Sequence, residues 1–160
     1  MMKVLAIETS TYSGSIAVSE DDRILGEYYL NMGPSHSERL VPAIDRLLGE
    51  LGIEGKELSG VAVSLGPGSF TALRVGISTA KGLAYSLGIP VTGASSLEIL
   101  AMNLPFSPFQ VCALGDARKG ELYAALFRTD CGGVSGISED AILPPAGLME
   151  IIKEETIFIG

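Results

Sequence analysis

The sequence predicts an α/β fold. One mixed sheet, three antiparallel strands followed by parallel strands, carries helices on both faces, and a second, incomplete α/β lobe follows it. Three observations lead there. Residues 3–30 hold three short apolar runs joined by two tight polar turns, the pattern of an antiparallel meander. Two long stretches with apolar residues at helical spacing come next, each followed by another apolar run, so the later strands are joined through helices and run parallel. The segment Leu104-Pro105-Phe106-Ser107-Pro108 then marks a boundary between lobes at 1–103 and 104–160, because closely spaced prolines interrupt both helix and ladder.

Lys3–Ile7, Ser15–Ser19 and Ile24–Leu30 are the three meander strands, with Glu8–Gly14 and Glu20–Arg23 as the turns. Met32-Gly33-Pro34 breaks the pattern, and Ser35 or Ser37 caps the helix that follows,. Leu40, Val41, Ile44, Leu47, Leu48 and Leu51 form its apolar face. Glu38, Arg39, Asp45, Arg46 and Glu50 lie opposite, Gly52 ends it, and Pro42 is expected to kink it near its start,. Val61–Leu65 is a fourth strand. A second helix runs over Phe70–Leu87, with Leu73, Ile77, Ala80, Ala84 and Leu87 on one face and Arg74, Ser78, Lys81 and Tyr85 on another,. Val91–Gly93 is a short fifth strand, and Ser95 or Ser96 with Glu98 opens a short helix. In the second lobe, Gln110–Leu114 and Glu121–Arg128 flank a polar turn, a loop follows, and Leu143–Glu155 is expected to be helical. The apolar run Ile157-Phe158-Ile159 closes the sequence. A native domain seldom ends on such a strand, so the lobe is expected to continue past residue 160.

Composition narrows the function. At 47% hydrophobic and 19% charged residues, the chain can build a core,. Net charge is −8, and both lobes are acidic, with 7 basic and 11 acidic residues in 1–103 and 4 and 8 in 104–160. A protein that grips a phosphate backbone by itself needs a Lys/Arg patch, so direct nucleic-acid binding is disfavoured. Cys112 and Cys131 are too few for a disulfide scaffold or zinc knuckle, and read as a buried thiol and a loop thiol in a reducing compartment,. No apolar stretch reaches the ~20 residues of a membrane span, and Glu8 comes too early for a signal peptide,. The expected location is the cytoplasm.

The stretch Leu65-Gly66-Pro67-Gly68-Ser69-Phe70-Thr71, between strand and helix, invites a phosphate-binding reading. A P-loop needs Lys and Ser/Thr after its last glycine, and here Ser69-Phe70 follows Gly68,. The spacing G-x-G-x-x-G fails at Thr71. Two uses stay open: a tight strand-to-helix turn that exploits the freedom of Gly68, or a weak anion site made by backbone N–H groups at a helix start. His36 is the only histidine, so a two-histidine metal site within the chain is ruled out, and a Ser–His–Asp triad would have to recruit it. Glu8 and Asp116 sit at strand ends and could hold Mg²⁺, although exposed turn acids explain them better. The helix faces are core, or else Gly76, Ala80 and Ala84, small residues four apart, let another helix approach.

Four motifs, "LAIETSTYSGSIAV", "PSHSERLVPAIDRLL", "SLGPGSFTALRVGISTAKGLA" and "DARKGELYAALF", together and in order resemble the bacterial TsaB (YeaZ) family, a degenerate branch of the actin, sugar-kinase and heat-shock-chaperone superfamily. The resemblance covers Lys3 to about Arg128 and more weakly the rest. It implies an actin-like, ribonuclease H-like fold. It implies a scaffold or activator subunit without chemistry of its own, acting in N6-threonylcarbamoylation of adenosine 37 in tRNAs that read codons beginning with A. The implied partners are a TsaD-like paralogue, which carries the metal, and a TsaE-like ATPase, with a homodimer in isolation and tRNA met only through the complex. The implied pairing surface is built from the two long helices, here Ser35, His36, Arg39, Leu40, Ala43, Leu47, Arg74, Gly76, Ile77, Ala80 and Ala84. The superfamily's nucleotide or anion positions map to Glu8, Thr9, Ser10, Gly66, Gly68 and Ser69. No catalytic or metal residue carries over, and ATP or ADP is expected only at an interface with a partner. Ala72 departs from the family's usual Gly. The alternatives are a glycoprotease-type peptidase and an actin-like ATP-dependent enzyme, for which Glu8 and Asp116 would be the working acids.

Overall fold

A computed structural model describes residues 1–31, 36–130 and 132–160. The break at Met32–Pro34, the cap or interface residue Ser35, the thiol of Cys131 and the side chains of His36 and Ser37 lie outside the described residues. Contacts divide the chain into two units: residues 1–65 with 69–94, and residues 66–68 with 95–160.

In the first unit, β1 (Lys3–Glu8), β2 (Ser13–Glu20), β3 (Arg23–Asn31), β4 (Gly60–Ser64) and β5 (Val91–Ala94) form one sheet in the order β3-β2-β1-β4-β5. β1–β2 and β2–β3 pair antiparallel, while β1–β4 and β4–β5 pair parallel. This is the meander-then-crossover order that the apolar runs predict. Ile7 sits in register with Ile16 on one side and Val63 on the other. The pleat sends alternate side chains to opposite faces: Leu5 and Ile7 are buried, and Ala6 between them is exposed.

The two helices connecting these strands, α1 (His36–Leu51) and α2 (Phe70–Leu87), both pack on that buried face. Leu40, Ile44 and Leu47 of α1 and Ala80 and Ala84 of α2 join Leu5, Ile7, Ile16, Val18, Val61 and Val63 in one cluster. Each fully buried Leu or Ile contributes on the order of 1.5–3 kcal/mol. α1 is continuous from His36 to Leu51, with Pro42 inside it on the exposed side. Ala72 lies in the first turn of α2, buried, at an ordinary helical φ, so alanine costs nothing there.

The second unit contains α3 (Ser96–Ala101), β6 (Gln110–Arg118), β7 (Glu121–Asp130), β8 (Gly133–Gly136), β9 (Ala141–Leu143), α4 (Pro145–Ile151) and β10 (Thr156–Ile159). The sheet order is β10-β6-β7-β8, with β9 also on β7. Helices cover both faces here. Leu97 and Ala101 of α3 pack with Val111, Ala113, Ala125 and Phe127, while Leu148 of α4 packs with Cys112, Ala124 and Leu126 on the opposite side.

Three differences from the sequence reading have physical causes. The division falls after Ala94 rather than after Asn103, because α3 buries its apolar face on β6 and β7. The loop after β7 contains β8 and β9. The expected helix over Leu143–Glu155 is shorter, with Leu143 ending β9 and Pro145 starting α4.

Candidate functional site

The end of β1 and the start of α2 are locked together. The Thr9 N–H donates to Ser64 Oγ at 3.3 Å, and the Ser69 N–H donates to the Ser10 carbonyl at 2.7 Å. Ser69 is the N-cap residue of α2, and its carbonyl accepts the Leu73 N–H at 2.9 Å. Glu8 Oε1 accepts the Ser10 N–H. Thr9 is fully buried, its hydroxyl has no hydrogen-bond partner among the described residues, and it lies directly against Gly76 in the second turn of α2. Glu8, Thr9, Ser10 and Ser69 therefore come together in the first unit, held by backbone and turn bonds. Gly66 and Gly68 belong to the second unit, where the Gly66 carbonyl accepts the Ser96 N–H at 2.8 Å. The residue that needs glycine in this turn is Gly66, at φ +100°, and not Gly68,.

The acids singled out for catalysis are turn braces. Asp116 Oδ1 accepts the Arg118 N–H at 2.7 Å, at a hairpin where Arg118, Lys119 and Gly120 all have positive φ. It does for the β6–β7 turn what Glu8 does for the β1–β2 turn. Among the described residues, no three His, Cys, Asp or Glu side chains come together in a cluster that could hold a metal ion.

The expected pairing residues separate into two groups. Leu40, Leu47, Gly76, Ala80 and Ala84 are buried against the sheet of their own unit, so the stripe of small residues on α2 faces inward. This corrects the expectation of a contact surface there. The reason is the strand–helix distance: Gly76, Ala80 and Ala84 let α2 lie close to β1 and β4. Ala43 and Ile77 are half-buried at the edge of this core. Arg39 and Arg74 are exposed. Arg39 Nη1 donates to the Asn31 carbonyl at 3.1 Å, and the Arg74 guanidinium lies 5.3 Å from the centroid of the Phe70 ring.

The outward face of the two helices is made of other residues. On α1 it carries Val41, Pro42, Asp45 and Gly49. On α2 it carries Thr71, Ser78, Lys81 and Gly82, framed by Phe70 at 73% exposure and Tyr85 at 92%. A shallow groove along α2 is lined by Phe70, Thr71, Arg74, Val75, Ser78 and Thr79. Among the described residues, a Cβ added at Gly49 or Gly82 would meet nothing within 4 Å. A monomer seldom leaves large aromatic side chains this exposed beside small ones without a use for them. The helical period already grouped Arg74, Ser78, Lys81 and Tyr85, so the signal for this face was present in the sequence.

A second groove, in the other unit, is lined by Phe106, Ser107, Pro108, Arg128, Thr129, Asp130 and Ser135. Its cation is already engaged: Arg128 Nη2 donates to both carboxylate oxygens of Glu154 at 2.6 and 2.8 Å, and Glu154 also accepts from Gln110. The Cys112 thiol is buried among apolar side chains, and desolvation pushes it up to about 11,.

Comparison with known proteins fits this arrangement. The family model described as "TsaD: tRNA N6-adenosine threonylcarbamoyltransferase" matches residues 29–158. The chain is 36% identical to the tRNA threonylcarbamoyladenosine biosynthesis protein TsaB of Bacillus subtilis (strain 168), over 99% of this chain and 71% of that protein. It is 33% identical to the Escherichia coli (strain K12) protein of the same name, over 96% of this chain and 65% of that one. The solved structure of YeaZ from Pseudomonas aeruginosa superposes with a TM-score of 0.88 at 31% identity, covering all of this chain and 76% of that one. By sequence and by its actin-like mixed sheets alike, the chain belongs to the TsaB (YeaZ) family.

Proposed function

We propose that this chain is a non-catalytic scaffold subunit in the biosynthesis of threonylcarbamoyladenosine at position 37 of tRNAs that read codons beginning with A. It binds a TsaD-like paralogue, which performs the transfer with a TsaE-like ATPase, and it meets tRNA only through that complex. In isolation it forms a homodimer. ATP or ADP binds only at an interface with a partner, and the protein works in the cytoplasm.

The observation that carries this reading is the outward face of α1 and α2, where Phe70 and Tyr85 of α2 are exposed together with small residues, Gly49 on α1 and Ser78 and Gly82 on α2. Aromatic anchors beside small residues suit close packing against a partner helix. The groups that chemistry would need are meanwhile spent on structure, since Glu8 and Asp116 brace turns. The family relationship to proteins named for this pathway supports the same assignment.

A pull-down tests it. The tagged TsaD-like paralogue should retain wild-type chain and should lose Gly82→Arg, which adds bulk at an exposed position. Equal retention of both would overturn the placement of the face.

A further inference from the structure

The sheet of the first unit ends in two edge strands, β3 and β5. They are defended differently. β3 carries Arg23 and Glu27, and its register with β2 shifts between Val18 and Ser19. Charge and a bulge of this kind stop an edge from taking on a further strand. β5, Val91-Thr92-Gly93-Ala94, has neither, and residues 82–97 around it hold no charged side chain.

The ladder fixes which groups of β5 are open. The Val61 N–H donates to the Pro90 carbonyl at 3.0 Å, and the Leu65 N–H donates to the Ala94 carbonyl at 2.9 Å. Alternate residues of a strand turn their N–H and C=O to the same side. Thr92 therefore also faces β4, while Val91 and Gly93 turn theirs away from it. Among the described residues nothing pairs with these outward groups. Beside them is an apolar step. A Cβ on Gly93 would lie 2.6 Å from Leu65 Cγ, so the leucine side chain occupies the place over that glycine. Leu65 is 57% exposed, and Val91, on the same face of the strand as Gly93, is 41% exposed,.

We propose that the β5 edge binds an extended, uncharged strand of another polypeptide, which continues the sheet. Only a strand offers both a donor and an acceptor at the spacing of Val91 and Gly93, about 6.6 Å. The glycine lets a second backbone come close. On one face the added strand meets Leu65 and Val91, so its side chains there are apolar; on the other it meets Thr92. A charged strand would lose hydration against residues 82–97 and find no counter-charge. This edge is separate from the outward face of α1 and α2.

Amide hydrogen exchange read by NMR tests it, with the blocked peptide acetyl-Thr-Val-Thr-Val-Thr-Val-amide as the probe. In the free chain the Val91 and Gly93 amides should exchange at least about tenfold faster than that of Thr92, which is already bonded to β4. Saturating peptide should slow Val91 and Gly93 at least about tenfold. The same peptide N-methylated at every amide should protect neither. Val91→Lys places a charge on the edge and should weaken peptide binding at least about tenfold. Val91→Pro removes one outward N–H, leaves the bonds to β4, and should do the same. Circular dichroism verifies that both fold, and both should be retained by the paralogue in the pull-down, so the two surfaces are read apart. Outward amides as slow as Thr92 in the free chain, no protection at about 2 mM peptide, equal protection by the methylated peptide, or undiminished binding to a folded variant would each overturn the proposal. Protection that grows with protein concentration alone would make the occupant a second copy and overturn it too.

Discussion

Gly76 has no room for a side chain because Thr9 fills the space: a Cβ built on it would overlap the Thr9 hydroxyl and come within 3.3 Å of Thr9 Cβ and Cγ2. This contact fixes how closely α2 lies on the end of β1, and so how the outward face of α2 is presented. Gly76→Ala should destabilise the chain by roughly 1–3 kcal/mol, the usual cost of overpacking a filled site. Thr9→Ala removes the colliding atoms and should recover most of that loss in the double variant, read as melting temperature in a double-mutant cycle. Additive losses would mean that the two residues do not share this contact.

Ala80 and Gly82 lie two residues apart on α2 and should respond in opposite ways. Ala80 is fully buried in the core, so Ala80→Glu would force a carboxylate among Leu and Ile side chains and should abolish the folded circular dichroism signal. Gly82 is exposed, with nothing within 4 Å of its Cβ position among the described residues. Gly82→Arg should fold and gain about 0.5–1 kcal/mol from helix propensity. A folded Ala80→Glu variant would contradict the inward orientation of the stripe.

Lys3 and Glu57 tie the short turn before β4 to β1. Glu57 Oε2 accepts the Glu54 N–H at 2.8 Å and its Oε1 lies 3.0 Å from Lys3 Nζ. The backbone N–H first, and then Lys3, hold the Glu57 carboxyl below its ordinary value of 4.5,. Its folded value is the lower one, so its contribution is complete above about pH 4.5 and lost as pH falls through the folded value. The stability gap between wild type and Glu57→Gln should be constant near neutrality and close on acidification. A gap that widened in acid would reverse the sign.

The buried Cys112 thiol, raised to about 11, should be inert to an aromatic disulfide reagent at pH 8 in a Cys131→Ser background. It should become reactive only on unfolding, because the thiolate is the attacking species. Rapid native labelling would mean that the pocket around Leu126 and Leu148 opens readily.

Much of the fold was legible because burial follows period. The apolar run Lys3–Ile7, helical spacing from Leu40 to Leu51 and the strand–helix unit through Phe70 each have one arrangement that buries their apolar atoms. β8 was not legible: Gly133-Val134-Ser135-Gly136 has almost no apolar period, and its strand state comes from pairing with Thr129 and Asp130 on β7. The site was legible in part. Glu8, Thr9 and Ser10, which the motifs place just after β1, and Ser69, which they place before α2, are neighbours in the structure. The stripe Gly76-Ala80-Ala84 was ambiguous because small residues serve close packing on a sheet as well as on a partner helix. Only the position of Thr9 and the β1–β4 surface settles which side of α2 they occupy.

Reconstituted threonylcarbamoyl transfer tests the central claim most directly, with purified TsaD-like paralogue, TsaE-like ATPase, tRNA, ATP and threonylcarbamoyl donor, and modified nucleoside measured by mass spectrometry. Modification should fall at least about tenfold, equivalent to losing 1.4 kcal/mol or more, when this chain is omitted or replaced by Gly82→Arg, and the chain alone should transfer nothing. Equal modification without the chain, or with Gly82→Arg in its place, would contradict the account.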